Sequence, residues 1–244
     1  DNKKNPVESE NLINTVCEFI RAGKIIALKG LGGYQLLVDA GNNEAVKRLR
    51  ERKHREEKPF AMMFPSIEKI KECCNVSAEE EKLLSSVQSP IVLLKKMRNN
   101  MVAEEISPSN KYHGVMLPYT PLHHILMKQL NIPIVATSGN ISDEPICIDD
   151  EEAFEKLNGI ADYFVTHNRK IVRQVDDSVT RVIKGKPFMV RRARGYAPYP
   201  VIFDEIIPPA IAVGGQLKNT VGISNGKNIF ISQHIGDLDS KEAY

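Results

Sequence analysis

Lys53-His54-Arg55-Glu56-Glu57-Lys58-Pro59 crowds three cations onto the end of a helical pattern that Pro59 stops. Lys53 and Arg55 share a side if the helix has already loosened into extended chain. Three cations bordering a cleft neutralise phosphates and the charge of a group in transfer; the same run also reads as a helix end with cations on its C-terminal dipole. Thr137-Ser138-Gly139-Asn140-Ile141-Ser142 stands at the carboxyl end of the apolar run PIVATS. Small hydroxyl and amide groups there suit a phosphate or a nucleobase, and they equally suit an Asx turn or a helix cap. In HNRKIVRQVDDSVTRVI, His167, Arg169 and Arg173 precede Asp176, Asp177 and Ser178. Adjacent acids serve Mg²⁺–ATP through waters or pair with neighbouring arginines. In VRRARGY, alternation puts Arg192 and Arg194 on one face and Arg191 on the other, each with a planar fork that fits phosphate.

A glycine-rich stretch, KIIALKGLGGYQLLVDA from Lys24 to Ala40, reads as strand, loop, strand. Its loop can bring backbone N–H groups close to an anion or be an ordinary turn. The dinucleotide fingerprint is excluded because Gln35 stands where its third glycine belongs, and the Walker A pattern is absent. His113, His123 and His124 do not form a metal set: adjacent residues on a helix point about 100° apart, so one of them is expected partly buried in a capped helix.

The elements that must position these groups are mixed. A helix capped by Ser9 runs to about Ala22, and Gly23 ends it. Further helices are predicted from Asn42–Asn43, over Ser66–Lys71, Ser77–Ser86 and Leu122–Leu130, and from Asp149 to Leu157. FAMMF, PIVLLKK and PIVATS read as strands, and SVTRVI, Lys184–Gly185 and PFMVRR as a β-hairpin. Residues 97–114 are polar and aperiodic, which predicts a mobile lid over a cavity mouth. APYPVIFDEIIPPA holds four prolines and reads as a linker. The tail beyond it predicts three short strands with Gly-Gly and Asn-Gly turns, too short for its own core. It reads as the beginning of a domain whose remainder is missing, and the absence of an initial methionine likewise suggests a fragment.

The 244 residues are 42% hydrophobic and 26% charged, within the range of ordinary globular protein. No apolar run has the length of a membrane span and no signal peptide is present. Cys17, Cys73, Cys74 and Cys147 form no C-x-x-C pair, so zinc and disulfides are not expected and a reducing cytoplasm is. Cys73 and Cys74 are expected as one buried and one surface thiol. The net charge is only +2, yet nine Lys/Arg oppose two Asp from Arg169 to Tyr196, and seven oppose three Glu from Lys47 to Lys58. Two basic clusters on a near-neutral chain suggest a polyanionic partner, nucleotide phosphates or a nucleic-acid backbone; solvated faces are the plainer reading.

Six motifs in order, KGLGGYQLLVDA, RERKHREEKPFAMM, GVMLPYTPLHHIL, ATSGNISDEP, HNRKIVRQVDDSVTRVI and VRRARGYAP, resemble the YrdC-like domain of the HypF hydrogenase-maturation carbamoyltransferases. The tail AVGGQLKNTVGIS with SQHIGDL looks like the start of that family's next domain, of the sugar-kinase/actin-like type. The resemblance implies an α/β fold, a twisted mixed sheet with flanking helices around a deep basic cavity. It implies a division into a YrdC-like domain, 1–205, and a linker with a truncated β segment, 206–244. The implied activity takes ATP, Mg²⁺ and carbamate derived from carbamoyl phosphate, and forms carbamoyl-adenylate and pyrophosphate. Its carbamoyl group then passes to the C-terminal cysteine of a HypE partner; neither nucleic acid nor membrane is expected. In this picture Lys53, Arg55 and Lys58 act at the reacting centre, and Lys29, Gly32, Tyr34 and Thr137 at the small-substrate end. Ser138, Asn140, Ser178, Arg191 and Arg192 hold ATP, with Asp176 and Asp177 as candidates for Mg²⁺. The fold's threonylcarbamoyl-adenylate synthases share the runs Lys53-x-Arg55 and Thr137-Ser138-x-Asn140 and the tyrosine Tyr34. They carry Pro-Thr-x-Thr where this chain has Lys29-Gly30-Leu31-Gly32, and the replacement suits a smaller substrate. That synthase and a non-catalytic RNA-binding module are the alternatives.

Overall fold

The structure is a computed structural model that describes residues 1–98, 101–141, 144–236 and 238. Residues 99 and 100 of the expected lid, 142 and 143 of the strand-end run, and 237 and 239–244 of the tail lie outside the described residues. In chain order the elements are α1 (Leu12–Arg21), β1 (Ile26–Lys29), β2 (Tyr34–Asp39), α2 (Asn43–Arg52), β3 (Ala61–Met63), α3 (Ile67–Cys73), β4 (Cys74–Asn75), α4 (Ala78–Leu84), β5 (Ile91–Lys96), β6 (Tyr112–Met116), α5 (Pro121–Leu130), β7 (Ile134–Ser138), α6 (Asp150–Leu157), β8 (Tyr163–Val165), β9 (Val179–Ile183), β10 (Lys186–Arg191), β11 (Val201–Val213) and β12 (Val221–Ile231). The first ten strands form a mixed sheet in the order β10-β9-β5-β6-β3-β7-β2-β1-β8, with β4 on β5; β11 and β12 pair apart from it.

The helices start where short polar side chains accept orphan N–H groups. Asn42, Ser66, Ser77, Thr120 and Asp149 each cap a first turn. The first helix differs from expectation: Asn11 caps it, accepting from the Asn14 N–H, while Ser9 hydrogen-bonds Thr15. Alternation along the strands then divides the core. One cluster packs Val46 and Leu49 of α2, Ile70 of α3, Leu84 of α4 and Leu157 of α6 against Ala27, Leu36, Met62, Val92, Val115 and Val135. The other packs Val16, Cys17 and Ile20 of α1 and Leu126, Met127 and Leu130 of α5 against Ile26, Leu37, Met63, Met116 and Ile134. Each fully buried aliphatic side chain stabilises the fold by about 1.5–3 kcal/mol. Among the described residues the second face carries two helices, α1 and α5, and the part they leave uncovered becomes a cavity floor.

Three expectations about the chain's course change. The segment 97–114 is not a free lid: Val102, Ala103 and Ile106 join the core, and its end is strand β6. Buried Ser107 and His113 also bond each other there, Oγ to Nδ1 at 2.9 Å. Apolar anchors four residues apart were enough to fix a stretch whose average composition is polar. The proline-rich linker is β11, a 13-residue strand, and the expected boundary between 205 and 206 falls inside it. Pro208 and Pro209 sit at a register shift between Ile207 and Ala210, where their missing N–H groups cost no ladder bond. Ser224 patches the gap by accepting from the Ala210 N–H and donating to the Pro208 carbonyl. The tail makes two long strands instead of three short ones, because Gly226, at φ +61°, forms a bulge opposite Ile207 and not a hairpin turn.

All four cysteines are buried and free. Cys73 and Cys74 both go inward because the helix ends between them and the chain turns into β4. His123, capped into α5 by Thr120, is fully buried.

Gly139 sets the strand-end turn. A Cβ there would lie 2.7 Å from the Tyr34 Cβ and 2.8 Å from the Tyr34 carbonyl oxygen, and the Gly139 N–H already donates to that oxygen at 2.7 Å. Gly139→Ala is expected to lower the unfolding free energy by about 1–3 kcal/mol, the range for forcing an extra carbon into a packed site. Denaturant unfolding measures it; an unchanged midpoint would mean that the turn has slack.

Candidate active site

Ile91 and Leu93 of β5, Tyr112 and Gly114 of β6, Ala136 and Ser138 of β7, and Val179 and Arg181 of β9 are alternate residues, so each pair projects to the same face. With Ala61 they floor a cavity of about 1390 Å³. Ala61 pairs with Gly114 across β3 and β6, so the middle of the floor carries almost no side chain. The walls hold seven Lys or Arg against three Asp or Glu. Gly32, Gly33, Tyr34 and Gln35 form one edge; Arg55, Lys58–Ala61, Thr137, Ser138, Asn140, Asp176, Asp177, Arg191, Arg192 and Arg194 form much of the rest.

Arg55 and Lys58 reach this cavity as expected. Arg55 is locked in place: Nε donates to the Lys58 carbonyl at 2.9 Å, Nη2 to the Pro59 carbonyl at 2.6 Å and Nη1 to Thr137 Oγ1 at 3.3 Å, with Phe60 beneath the guanidinium at 4.9 Å. Burial, then the charges of Arg50 and Arg191, pull its pKa down to about 10, which leaves it charged at neutral pH. Lys58 is exposed at the cavity wall.

Lys53 is placed differently from the expectation. It does not line the cavity. Its Nζ, 2% exposed as a residue, donates to the Ser138 carbonyl at 2.8 Å, to Asn140 Oδ1 at 2.7 Å and to the Asn140 carbonyl. Ser138 Oγ donates to the same Asn140 oxygen, and Asn140 Nδ2 to the Glu144 carbonyl at 2.6 Å. Lys53 therefore ties the strand-end turn that presents Ser138 and Asn140. Arg50, which the sequence reading passed over, does the same for the next loop: it donates to the carbonyls of Arg55, Glu56, Lys58, Glu105 and Ile106. Its only sequence signal was burial at a helical spacing from Val46.

Lys29 is also away from the cavity. Its Nζ pairs with Asp150 Oδ1 at 2.7 Å and donates to the His167 carbonyl. Tyr34 lines the cavity but turns its hydroxyl to the same Asp150 oxygen at 2.7 Å. The Asp150 carboxyl is held below its ordinary range: burial opposes this, but the Lys29 and Tyr34 hydrogen bonds outweigh it. The glycines of the loop serve close packing. A Cβ on Gly32 would stand 2.7 Å from Val175 Cβ, and the Gly32 carbonyl accepts from the Val175 N–H at 2.9 Å.

Ser178 is another correction. It is fully buried, donates to the Arg194 carbonyl at 2.9 Å and accepts from the Ala193 N–H, so it pins the arginine segment. Arg191 donates to the Asp177 carbonyl. Arg192 lines the cavity while its guanidinium holds the carbonyls of Tyr196, Tyr199 and Ile231. Arg194, present in the motif but assigned no role, stacks at 3.4 Å over Tyr119 and pairs with Asp177 at 2.8 Å. Asp176 accepts from His234 Nδ1 at 2.9 Å, with Arg191 4.0 Å from its other oxygen. Both acids are thus already turned to cations, and among the described residues no three His, Cys, Asp or Glu side chains converge on a metal site. Asp176 and Asp177 are thus each engaged by the chain's own side chains, His234 and Arg194.

Burial, reinforced by Arg55 and Lys58, lowers the Lys53 pKa to about 7. The unfolded chain then holds more protons than the folded one between pH 7 and 10.5, so this group's contribution favours folding increasingly as pH rises through that window and is least favourable below it. Relative to Lys53→Met, wild-type stability is expected to climb by up to about 1.4 kcal/mol per pH unit across the window. Denaturant unfolding of both proteins at several pH values reads it, and a pH-independent difference would show that Lys53 stays fully charged.

Residues 18–193 match the Sua5/YciO/YrdC family, described as telomere recombination, and residues 206–244 match the HypF Kae1-like domain. Carbamoyltransferase HypF of Synechocystis is 47% identical over 97% of this chain and 31% of its own length. The probable carbamoyltransferase HypF of Methanocaldococcus jannaschii is 34% identical over 100% of this chain and 32% of its own. The chain thus spans about a third of the curated relatives it matches. A full-length HypF crystallised in a phosphate- and nucleotide-bound form superimposes with a TM-score of 0.89 at 50% identity, over 95% of this chain and 37% of that one. P. abyssi Sua5 complexed with L-threonine shares the fold, with a TM-score of 0.66 at 24% identity over 77% of this chain and 54% of that one. No helix among the described residues is long and apolar enough to cross a membrane. The chain belongs to the Sua5/YciO/YrdC family, with a YrdC-like domain of the HypF type followed by a segment of a HypF Kae1-like domain.

Proposed function

We propose that this chain is the adenylating part of a carbamoyltransferase, in which the cavity takes ATP and carbamate and releases carbamoyl-adenylate and pyrophosphate. One observation carries the reading: a concave site with seven cations against three acids, over a floor whose middle holds only the small residues Ala61, Gly114 and Ala136. Cations recognise the polyphosphate, and the bare floor leaves room for the nucleotide and a small co-substrate. A carbamate oxygen attacks the α-phosphorus, the bond from that phosphorus to the β-phosphate's bridging oxygen breaks, and pyrophosphate leaves with the electron pair. Arg55 is fixed by its three hydrogen bonds before any ligand arrives, so its charge costs little reorganisation in the transition state. Thr137, Ser138 and Asn140, held by Arg55 and Lys53, orient the reactants. Mg²⁺ then comes with the nucleotide's own phosphates. The likeness to HypF carbamoyltransferases supports the further step, transfer of the carbamoyl group to an acceptor cysteine thiol of a HypE-type protein with loss of AMP and the thiol proton.

ATP–pyrophosphate exchange tests the reading with two inputs, carbamoyl phosphate with an acylphosphatase, and threonine with bicarbonate. Exchange with the first is expected; exchange with the second alone would assign the chain to threonylcarbamoyl-adenylate synthesis instead. Arg55→Ala is expected to weaken ATP binding by about 1–3 kcal/mol, as a buried charge-assisted contact should. Calorimetry measures this, and unchanged affinity would remove Arg55 from the site.

A further inference from the structure

Five residues of the tail, Ile231 and Gln233 to Gly236, line the cavity. The Gln233 side chain donates to the Gln174 carbonyl at 2.9 Å, the His234 N–H to the Arg192 carbonyl at 2.8 Å, and Arg192 to the Ile231 carbonyl at 2.9 Å. His234 then reaches Asp176, and an ionised carboxylate only accepts, so Nδ1 carries the proton. Asp176 is the awkward group in this wall. It is a carboxylate beside the cations that a polyphosphate needs, and its second oxygen already stands 4.0 Å from Arg191.

We propose that His234 is a positioning residue of the adenylating site: by holding Asp176, it keeps that carboxylate from capturing Arg191 and leaves the arginine for the polyphosphate. This rests on the reading of the cavity as a polyphosphate site. Without His234, Asp176 loses the partner that anchors Oδ2, and its nearest cation is Arg191. A tightened Asp176–Arg191 pair competes directly with any anion for the same guanidinium. The tail thereby belongs to the site although it lies in the part of the chain that matches another domain.

The probe is inorganic pyrophosphate titrated into the chain by calorimetry. His234→Ala is expected to weaken binding roughly tenfold, equivalent to about 1.4 kcal/mol. His234→Asn, whose amide nitrogen replaces the Nδ1 donor, should retain most of the affinity. The double variant His234→Ala/Asp176→Asn should recover it, because the competing charge is gone; a merely structural role for His234 would not be rescued this way. Wild-type affinity in His234→Ala, or a double variant as weak as the single one, would overturn the proposal while leaving the cavity's assignment intact. A wild-type chain that binds no pyrophosphate would overturn the assignment and this inference with it.

Discussion

Loops around a cavity have carbonyl groups but no helix or sheet to supply their donors, and buried cations supply them here. Arg50 serves five carbonyls of two loops, Lys53 serves two and a side-chain amide, and Arg194 serves the Gln88 and Ser89 carbonyls. Lysine offers three donors and arginine five, in compact form, so one side chain closes a turn that several backbone bonds would otherwise be needed to fix. Burying a lone charge is costly, but carbonyl dipoles arranged around it offset much of that cost. The loops 55–60, 88–89 and 138–140 are thereby set before a ligand binds, and the cavity's shape depends on them.

This use of cations sorts residues that look alike in the sequence. Lys53 and Lys58 are five positions apart, yet Lys53 is spent on the Ser138–Asn140 turn, 85 and 87 residues away, and Lys58 stands at the cavity wall. Nothing local distinguishes them; the difference is made by which distant loop returns to which side chain. The same holds for Lys29, which pairs with Asp150 on α6, and for Ser178, which pins the Arg194 segment. Residue types and order were enough to indicate a cation-rich site and the family, because those depend on what is present. The individual roles depend on long-range pairing.

Much of the fold was legible for a parallel reason. The caps Asn42, Ser66, Ser77 and Asp149 and the β9–β10 hairpin are local signals, and the structure keeps them. The failures were stretches in which composition misled. Prolines suggested a linker at 198–209, but a register shift accommodates Pro208 and Pro209 within β11. Polar residues suggested a lid at 97–114, but Val102 and Ile106 anchor it. The cavity floor was illegible for another reason: it is made by side chains that are absent. Gly114 and Ala136 read as ordinary strand residues, and only pairing across β3, β6 and β7 shows that their smallness coincides.

The two-strand tail joins this cavity in an unusual way. Three of its apolar side chains, Ile202, Ile206 and Ile211, are each more than 70% exposed and bury little against the YrdC-like domain. Polar contacts tie it there: Arg192 on Ile231, Gln233 on Gln174 and His234 on Asp176, beside the half-buried Ile231 and Ile235. Hydrogen bonds of this kind contribute roughly 0.5–1.5 kcal/mol each, and more when charged, far less than a buried apolar face would. This contact is thus built largely from polar groups, while the helix-covered faces of the sheet are built from packed apolar ones.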